Sequence, residues 1–586
     1  MECHGPTFLC TLSTFVPLLL NYQTPEDLAS TKQLTDGDEY DFIIVGAGPA
    51  GCVLANRLSE VSNWTVLLLE SGGEEPELAN VPAFVPYISH TRLTWNYTTQ
   101  PGDIICRGEP CSTVNGRALG GGSVANNMLF NRGNGRELDD WARLGNTGWS
   151  YEDLLPYFKK WENNQDPLIA KDREHHATGG PQSVGQFPHE DKNDIFILKA
   201  FQELGYKVTD VNGFNQTGVT RLQTFQQDGE RMSASRAFLA PIRKSRKNLR
   251  IVTNVRVTKV VIDEDTKEAR GVEYIWENDR NSRGIIRATK EVIITSGSIN
   301  SPKILMNSGI GPSDVLEPLG IKVIADLKVG HNFQNHIHST ELHFNLRRDQ
   351  EVLPKSEEVF QDLLTYTAKR KGPVASEGVF DIIAYIHSRY SDPSENFPDI
   401  QIYFTPHLLY NGTIFKSPMA YYNRISVAQD IVRPRSRGYI TINTTDPFSQ
   451  PLIHLNYFSD KHDVDVLVDS YNFVVKKLAP KLEAFGYSLN TTPAEVCKDF
   501  IFGTDEYWHC TIKDIEMLTN HFSGTCKMGP SSDSTAVVDP RLRVYNVKKL
   551  RVADASIQPV IVSGNTNSIA LTIGEKAADM IIKDCL

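Results

Sequence analysis

The stretch YDFIIVGAGPAGCVLANRLSE, residues 40–60, limits what this chain can fold into more than any other. Four consecutive apolar residues after Asp41 run straight into a glycine turn, and an apolar-periodic segment follows. Strand (41–45), turn and helix (to about residue 59) are expected in that order. Gly46, Gly48 and Gly51 stand at G-x-G-x-x-G spacing, with Pro49 and Ala50 opening the helix. In such a turn Gly46 permits the sharp reversal, Gly48 lets backbone approach a diphosphate, and Gly51 lets helix and strand pack closely. The free N–H groups at the helix N-terminus then face the phosphate oxygens. WTVLLLESGG supplies a second strand ending at Glu70, nineteen positions past Gly51 (70 − 51), near the spacing of an acid that holds a ribose hydroxyl. This unit predicts a site for an ADP-containing cofactor, a handle that NAD, NADP and FAD share. The looser match GGGSVA, residues 120–125, has neither a good strand before it nor an acid after it.

Two further segments narrow the choice. NGRALGGGSVANNMLFNRGNGRELDDW (115–141) is glycine-dense, then polar, then apolar, which suits backbone packed on a flat ligand and also suits a surface loop. KEVIITSGSINSPKILMNSGIG predicts a strand over 290–295, a small-residue turn and a short helix, another strand-to-helix crossing at one end of a parallel sheet. GRALGGGSVANNMLFNRG resembles the first signature of the glucose–methanol–choline (GMC) oxidoreductases, departing at Ala125, where an aliphatic residue is usual, and at Asn127, where glycine is frequent. GSINSPKILMNSGIG fits that family's second signature, and HFSGTCKMGP and VADASIQPVIVSGNTNSIALTIGEKAADMI resemble its C-terminal active-site and FAD-closing segments. LGNTGWSYEDLLPYFKKWE resembles the arthropod branch, whose members act on glucose, ecdysteroids and alcohols such as those of beetle secretions.

The resemblance implies an α/β fold: a Rossmann-like FAD-binding domain interleaved with a substrate domain built on an antiparallel sheet packed with helices. The FAD domain is expected to gather 39–160, 240–340 and 536–586, and the substrate domain 161–239 and 341–535. Gly122, Asn126 and Asn127 are expected near the flavin, Val257 near adenine, and Asp554 and Ala555 in the closing segment. A histidine at the Ala125 position links flavin covalently in one subgroup; alanine cannot, so dissociable FAD is expected.

His521, in LTNHFSGTCKMGP, admits four roles: metal ligand, partner of Cys526 in a nucleophile pair, general base, or packed histidine. A metal site requires several ligands at suitable spacing, and Cys526 alone lies near in sequence, so no metal is expected. No motif supports a cysteine nucleophile, and Cys526 reads as a small buried residue. The resemblance makes His521 the acceptor of a substrate hydroxyl proton, a task suited to imidazole near neutral pH, and makes Asn565 its partner. An amide donates and accepts but is no second base. The implied activity is oxidation of a CH–OH substrate by hydride transfer to the flavin, with oxygen or a quinone as acceptor. The substrate is a small aromatic or terpenoid alcohol, an ecdysteroid or a sugar; the tyrosines and phenylalanines of LTYTAKRKGPVASEGVF and IQIYFTPHLLYNGTIF suit an apolar substrate or a core. A flavoprotein lyase without net redox, a silent binding protein of the same fold and a nicotinamide dehydrogenase are the alternatives.

With 586 residues the chain is long enough for two or more domains. A net charge of −11 without a dense Lys/Arg stripe argues against nucleic acid, and no run is long enough to span a membrane. The apolar run 8–20 suits a signal-peptide core, although no Lys or Arg precedes it and no A-x-A site follows. With sequons at Asn63, Asn96, Asn215, Asn411, Asn443 and Asn490 it predicts a secreted glycoprotein, 1–38 forming a signal peptide and extension. Cys106 with Cys111, and Cys497 with Cys510, are close enough to pair in an oxidising compartment.

Overall fold

The computed structural model describes residues 7–22 and 34–586; the rest of the 1–38 extension lies outside the described residues. Two seven-stranded sheets organise the chain. The first runs Leu249–Val252, Val66–Leu69, Glu39–Val45, Asp279–Ile294, Glu268–Trp276, Val255–Asp263, with Leu550–Val552 added beside the end of Asp279–Ile294. Its centre is parallel: Ile43 pairs with Leu67 on one side and Val292 on the other, and Ile293 with Arg551. At its centre residues 42–45 and the strand Val66–Leu69 are buried on both faces, the pattern of a parallel sheet. Helix Pro49–Leu58 lies against the C-terminal helix Asn567–Cys585, and the buried Glu575 of the latter takes Arg57 at 2.7 Å. All the parallel strands end at one edge, which carries Gly46, Glu70, Thr295 and Ala553 immediately after the last strand residues. In open parallel sheets that carboxyl edge is where ligands bind.

The second sheet is antiparallel throughout, in the order Ser488–Leu489, Ile337–Asn345, Arg424–Ile431, Ile400–Tyr410, Ile382–Ile386, Gly218–Arg221, with Thr413–Phe415 folded back on Ile400–Tyr410. Tyr439–Thr441, which follows Arg424–Ile431 in an alternating stretch, leaves this sheet and pairs with Leu452–His454 instead. One face is packed by Lys461–Phe473 and its continuation through Ala484, burying Val466, Leu467, Tyr471 and Leu482 with the sheet's isoleucines. The result is the mixed α/β fold that the sequence predicts.

The apolar N-terminal run is a helix, Thr7–Asn21, whose Leu9, Val16 and Leu20 are buried with Phe84, Tyr87 and Val359. Disulfides join Cys106 to Cys111 and Cys497 to Cys510. Among the described residues no helix is long and apolar enough to cross a membrane.

Candidate active site

One cavity is lined from both sheets: by Val45, Gly46, Leu69 and Glu70 at the carboxyl edge of the first, and by Tyr403 of the second. Every cofactor or catalytic residue expected from sequence lines it except Gly51. Gly51 lies behind the turn, where an added Cβ would stand 2.0 Å from the Gly46 carbonyl oxygen, so it serves the close helix–strand contact. Gly46 has φ 105°, and a Cβ there would meet the Thr295 carbonyl oxygen at 2.6 Å. Gly48 differs: its φ is −72°, and a Cβ would come no closer than 3.9 Å to protein. Neither protein packing nor backbone conformation requires glycine at Gly48, and the empty position faces the cavity. Gly122 is similarly open, with 3.8 Å to its nearest protein atom. Gly48 caps helix Pro49–Leu58 without a side-chain hydrogen bond, so the helix N-terminus is left for a ligand.

Glu70 is fixed by two backbone donors, the Ala47 N–H at 2.8 Å and the Gly72 N–H at 2.7 Å. Each carboxylate oxygen keeps a further lone pair, and Glu70 lines the cavity. Asp554 accepts from Gly297 N–H (2.9 Å), Ser301 hydroxyl (2.6 Å) and Ser556 N–H (2.8 Å), tying the closing segment to the start of helix Gly297–Asn307. Asn126 Oδ1 accepts from Arg231 at 2.8 Å, and Asn127 donates to the buried Glu377 at 3.0 Å. Three side-chain oxygens of cavity residues, Asn307 Oδ1, Asn565 Oδ1 and Asn567 Oδ1, are buried without any hydrogen-bond partner. Buried polar atoms are almost always satisfied. Orphaned acceptors in the lining and two glycine positions that leave room fit an extended polar cofactor such as FAD.

His521 reaches the cavity from the loop after residue 514, with its backbone N–H held by Asn335 Oδ1 at 2.7 Å. Its Nε2 is 3.1 Å from Asn565 Nδ2, and its Nδ1 is 3.0 Å from His336 Nδ1. Burial, with His336 and His338 beside it, holds the His521 imidazole well below its ordinary value, so it is neutral at neutral pH. Cys526 is buried, its thiol pushed up by burial, and it is not among the residues that line the cavity. Leu129, Phe380 and Tyr403 add an apolar, aromatic wall; Tyr403 stacks on His338, which bonds Asp430 at 2.6 Å.

The residues missed from sequence are those around His521. On sequence spacing Cys526 alone was near, whereas the fold brings up His336 and Asp430, whose ligand-type atoms and those of His521 lie within 4.8 Å of one another. His336, Asn335 and His338 belong to HNFQNHIHST, a polar cluster at the entry of a strand, and that unexplained polarity was the available signal. Trp95 and Arg256 were also missed; both line the cavity, the guanidinium 4.9 Å from the indole ring centre.

Known proteins resemble this chain in both sequence and fold. The family models for GMC oxidoreductase match residues 40–338 and 434–574. Glucose dehydrogenase (FAD, quinone) of Drosophila pseudoobscura pseudoobscura is 38% identical over 99% of this chain and 93% of its own length. Ecdysone oxidase of Bombyx mori is 32% identical over 94% of this chain and 82% of its own. A crystal structure of formate oxidase, 25% identical, superposes with a TM-score of 0.82 over 94% of this chain and 99% of that one. The chain therefore belongs to the GMC oxidoreductase family, FAD-dependent enzymes that act on CH–OH donors.

Proposed function

We propose that the protein oxidises an alcohol, His521 taking the hydroxyl proton at Nε2 while Asn565 holds the substrate oxygen. The observation that carries this is the His521–Asn565 pair, 3.1 Å apart, in the same cavity as the cofactor turn. Bound FAD supplies the hydride acceptor. Removing the hydroxyl proton builds alkoxide character, which loosens the carbinol C–H, and the protein's task is to hold base and C–H in line. The second N–H of Asn565 is available to the oxygen as charge develops there. Helix Asn567–Cys585 begins at the cavity without a side-chain cap, and its positive end favours negative charge at that place. Gly46, Gly48, Pro49 and Ala50 would receive the diphosphate, Glu70 a ribose hydroxyl, Val257 the adenine side, and Gly122, Asn126, Asn127, Asp554 and Ala555 the flavin side. Ala125 offers no group for a covalent link, so heat or acid should release free flavin.

The aromatic wall favours a small aromatic or terpenoid alcohol or an ecdysteroid over a sugar, with oxygen or a quinone as electron acceptor. An anaerobic visible spectrum with a panel of sugars, ecdysteroids and aromatic alcohols tests this, followed by admission of air. Bleaching by one class identifies the substrate, and the speed of recovery separates oxidase from dehydrogenase. A yellow protein that no alcohol bleaches would leave lyase or binding roles. Secretion, with glycosylation at some of the six sequons, is part of the same proposal, and a shift in mass on deglycosylation of the native protein checks it.

A pH dependence follows from the lowered pKa of His521. Because its pKa is lowered, the neutral ring persists as pH falls past about 6.5, the ordinary imidazole value. The acid limb of kcat/KM should therefore lie below that pH. A limb at or above it would assign the essential base to another group.

A further inference from the structure

His336 is fully buried just before strand Ile337–Asn345, and each of its ring nitrogens faces a hydrogen-bonding group. Its Nε2 is 2.9 Å from the Val562 carbonyl oxygen. A carbonyl oxygen only accepts, so Nε2 carries hydrogen, and a neutral ring has one N–H. His336 Nδ1 is then bare, and it faces His521 Nδ1 at 3.0 Å. A bare nitrogen at that distance requires a donor, so the proton of His521 sits on its Nδ1. Its Nε2 is left as a lone pair aimed at Asn565, whose amide N–H donates to it at 3.1 Å.

We propose that His336 is a positioning residue that fixes the tautomer of His521, holding Nε2 bare for the substrate proton, with the Val562 carbonyl as the anchor of the chain. The proposal rests on His521 being the proton acceptor. The other tautomer would set two lone pairs against each other at 3.0 Å inside the protein and present an N–H to the substrate hydroxyl. The protonation state of His336 is consistent with this role: burial holds its ring below the ordinary value, against the pull of the Asp430 carboxylate, so it stays neutral. Once His521 has accepted the substrate proton, its Nδ1–H still donates to His336, so the imidazolium keeps that bond and only the Asn565 contact at Nε2 gives way.

The test uses the flavin-loaded protein with 15N-labelled histidine, and the variants His336→Gln and His336→Leu. Glutamine reproduces both contacts, its oxygen accepting from His521 and its N–H donating to Val562; leucine reproduces neither. In the native protein, the resonances lost in His521→Asn should show a protonated Nδ1 and a bare Nε2. His336→Leu should move proton density to Nε2 and slow flavin reduction by about 10²-fold, the low end of general-base effects, with little change in KM. His336→Gln should recover most of that rate and the native tautomer. A native spectrum with hydrogen on Nε2 overturns the proposal even if the leucine variant does not fold, and so does a leucine variant that keeps both rate and tautomer. The resonances are read without substrate. A bare Nε2 together with an unimpaired His521→Asn enzyme would thus overturn the assignment of the base and leave the tautomer chain standing.

Discussion

His521→Asn should fold and bind flavin like the native protein, yet be bleached by its alcohol about 10²- to 10⁴-fold more slowly, the range for removal of a general base. The substitution is chosen to leave the surroundings intact. The asparagine amide occupies roughly the place of Nδ1, and its N–H can still donate to the bare Nδ1 of His336. The backbone N–H of residue 521 keeps its acceptor, Asn335 Oδ1, which lies on another segment. What is lost is the ability to take up a proton, since an amide does not become cationic near neutral pH. In free energy the expected slowing is about 3–5 kcal/mol of transition-state stabilisation. Stopped-flow reduction under anaerobic conditions isolates the step from reoxidation. A loss confined to KM would make His521 a binding group. Full retention of the reduction rate would pass the role of base to another residue, with His336 the nearest candidate ring.

The contrast between what sequence showed and what it hid follows from chain separation. The strand, turn and helix of residues 40–60 are local, and each glycine there has its own steric signature, so the cofactor end was legible. The second sheet was legible only through the family resemblance. Its order joins residues 488, 337, 424, 400, 382 and 218, and no local pattern records which strand lies beside which. The alternating stretch that runs on into residues 439–441 even divides between two sheets. At the active site, His521 and Asn565 were visible through resemblance, 44 positions apart. His336 was not, because it stands 185 positions from His521 and earns its place through a carbonyl at residue 562 that has no side-chain identity. A search for partners near in sequence finds Cys526, which the fold buries away from any chemistry.

Gly48→Ala and Gly122→Ala should leave stability unchanged and weaken FAD binding, while Gly46→Ala should destabilise the protein whether or not FAD is present. The difference lies in what each Cβ meets. At Gly48 and Gly122 nothing of the protein lies within 3.8 Å, and neither has a φ that alanine resists. The methyl group enters the cavity, into space the turn leaves for the cofactor. Forcing such a group against a packed ligand costs about 1–3 kcal/mol, or roughly 5- to 150-fold in Kd. At Gly46 the methyl meets the Thr295 carbonyl oxygen at 2.6 Å and the Ser296 Cα at 2.9 Å, on a backbone with φ 105°. Strain in that region costs about 1–3 kcal/mol and overpacking a similar amount, a large share of a stability of about 5–15 kcal/mol. Thermal midpoints of the flavin-free proteins and FAD titration of each read the two effects separately. Equal losses of thermal midpoint in all three would mean that Gly48 and Gly122 serve packing, and native FAD affinity in Gly48→Ala would place the diphosphate elsewhere. The expected split, with Gly48 and Gly122 changing only the ligand and Gly46 changing the fold with or without it, follows because close packing at the turn is carried by Gly46 and Gly51, leaving Gly48 and Gly122 free to answer to the cofactor.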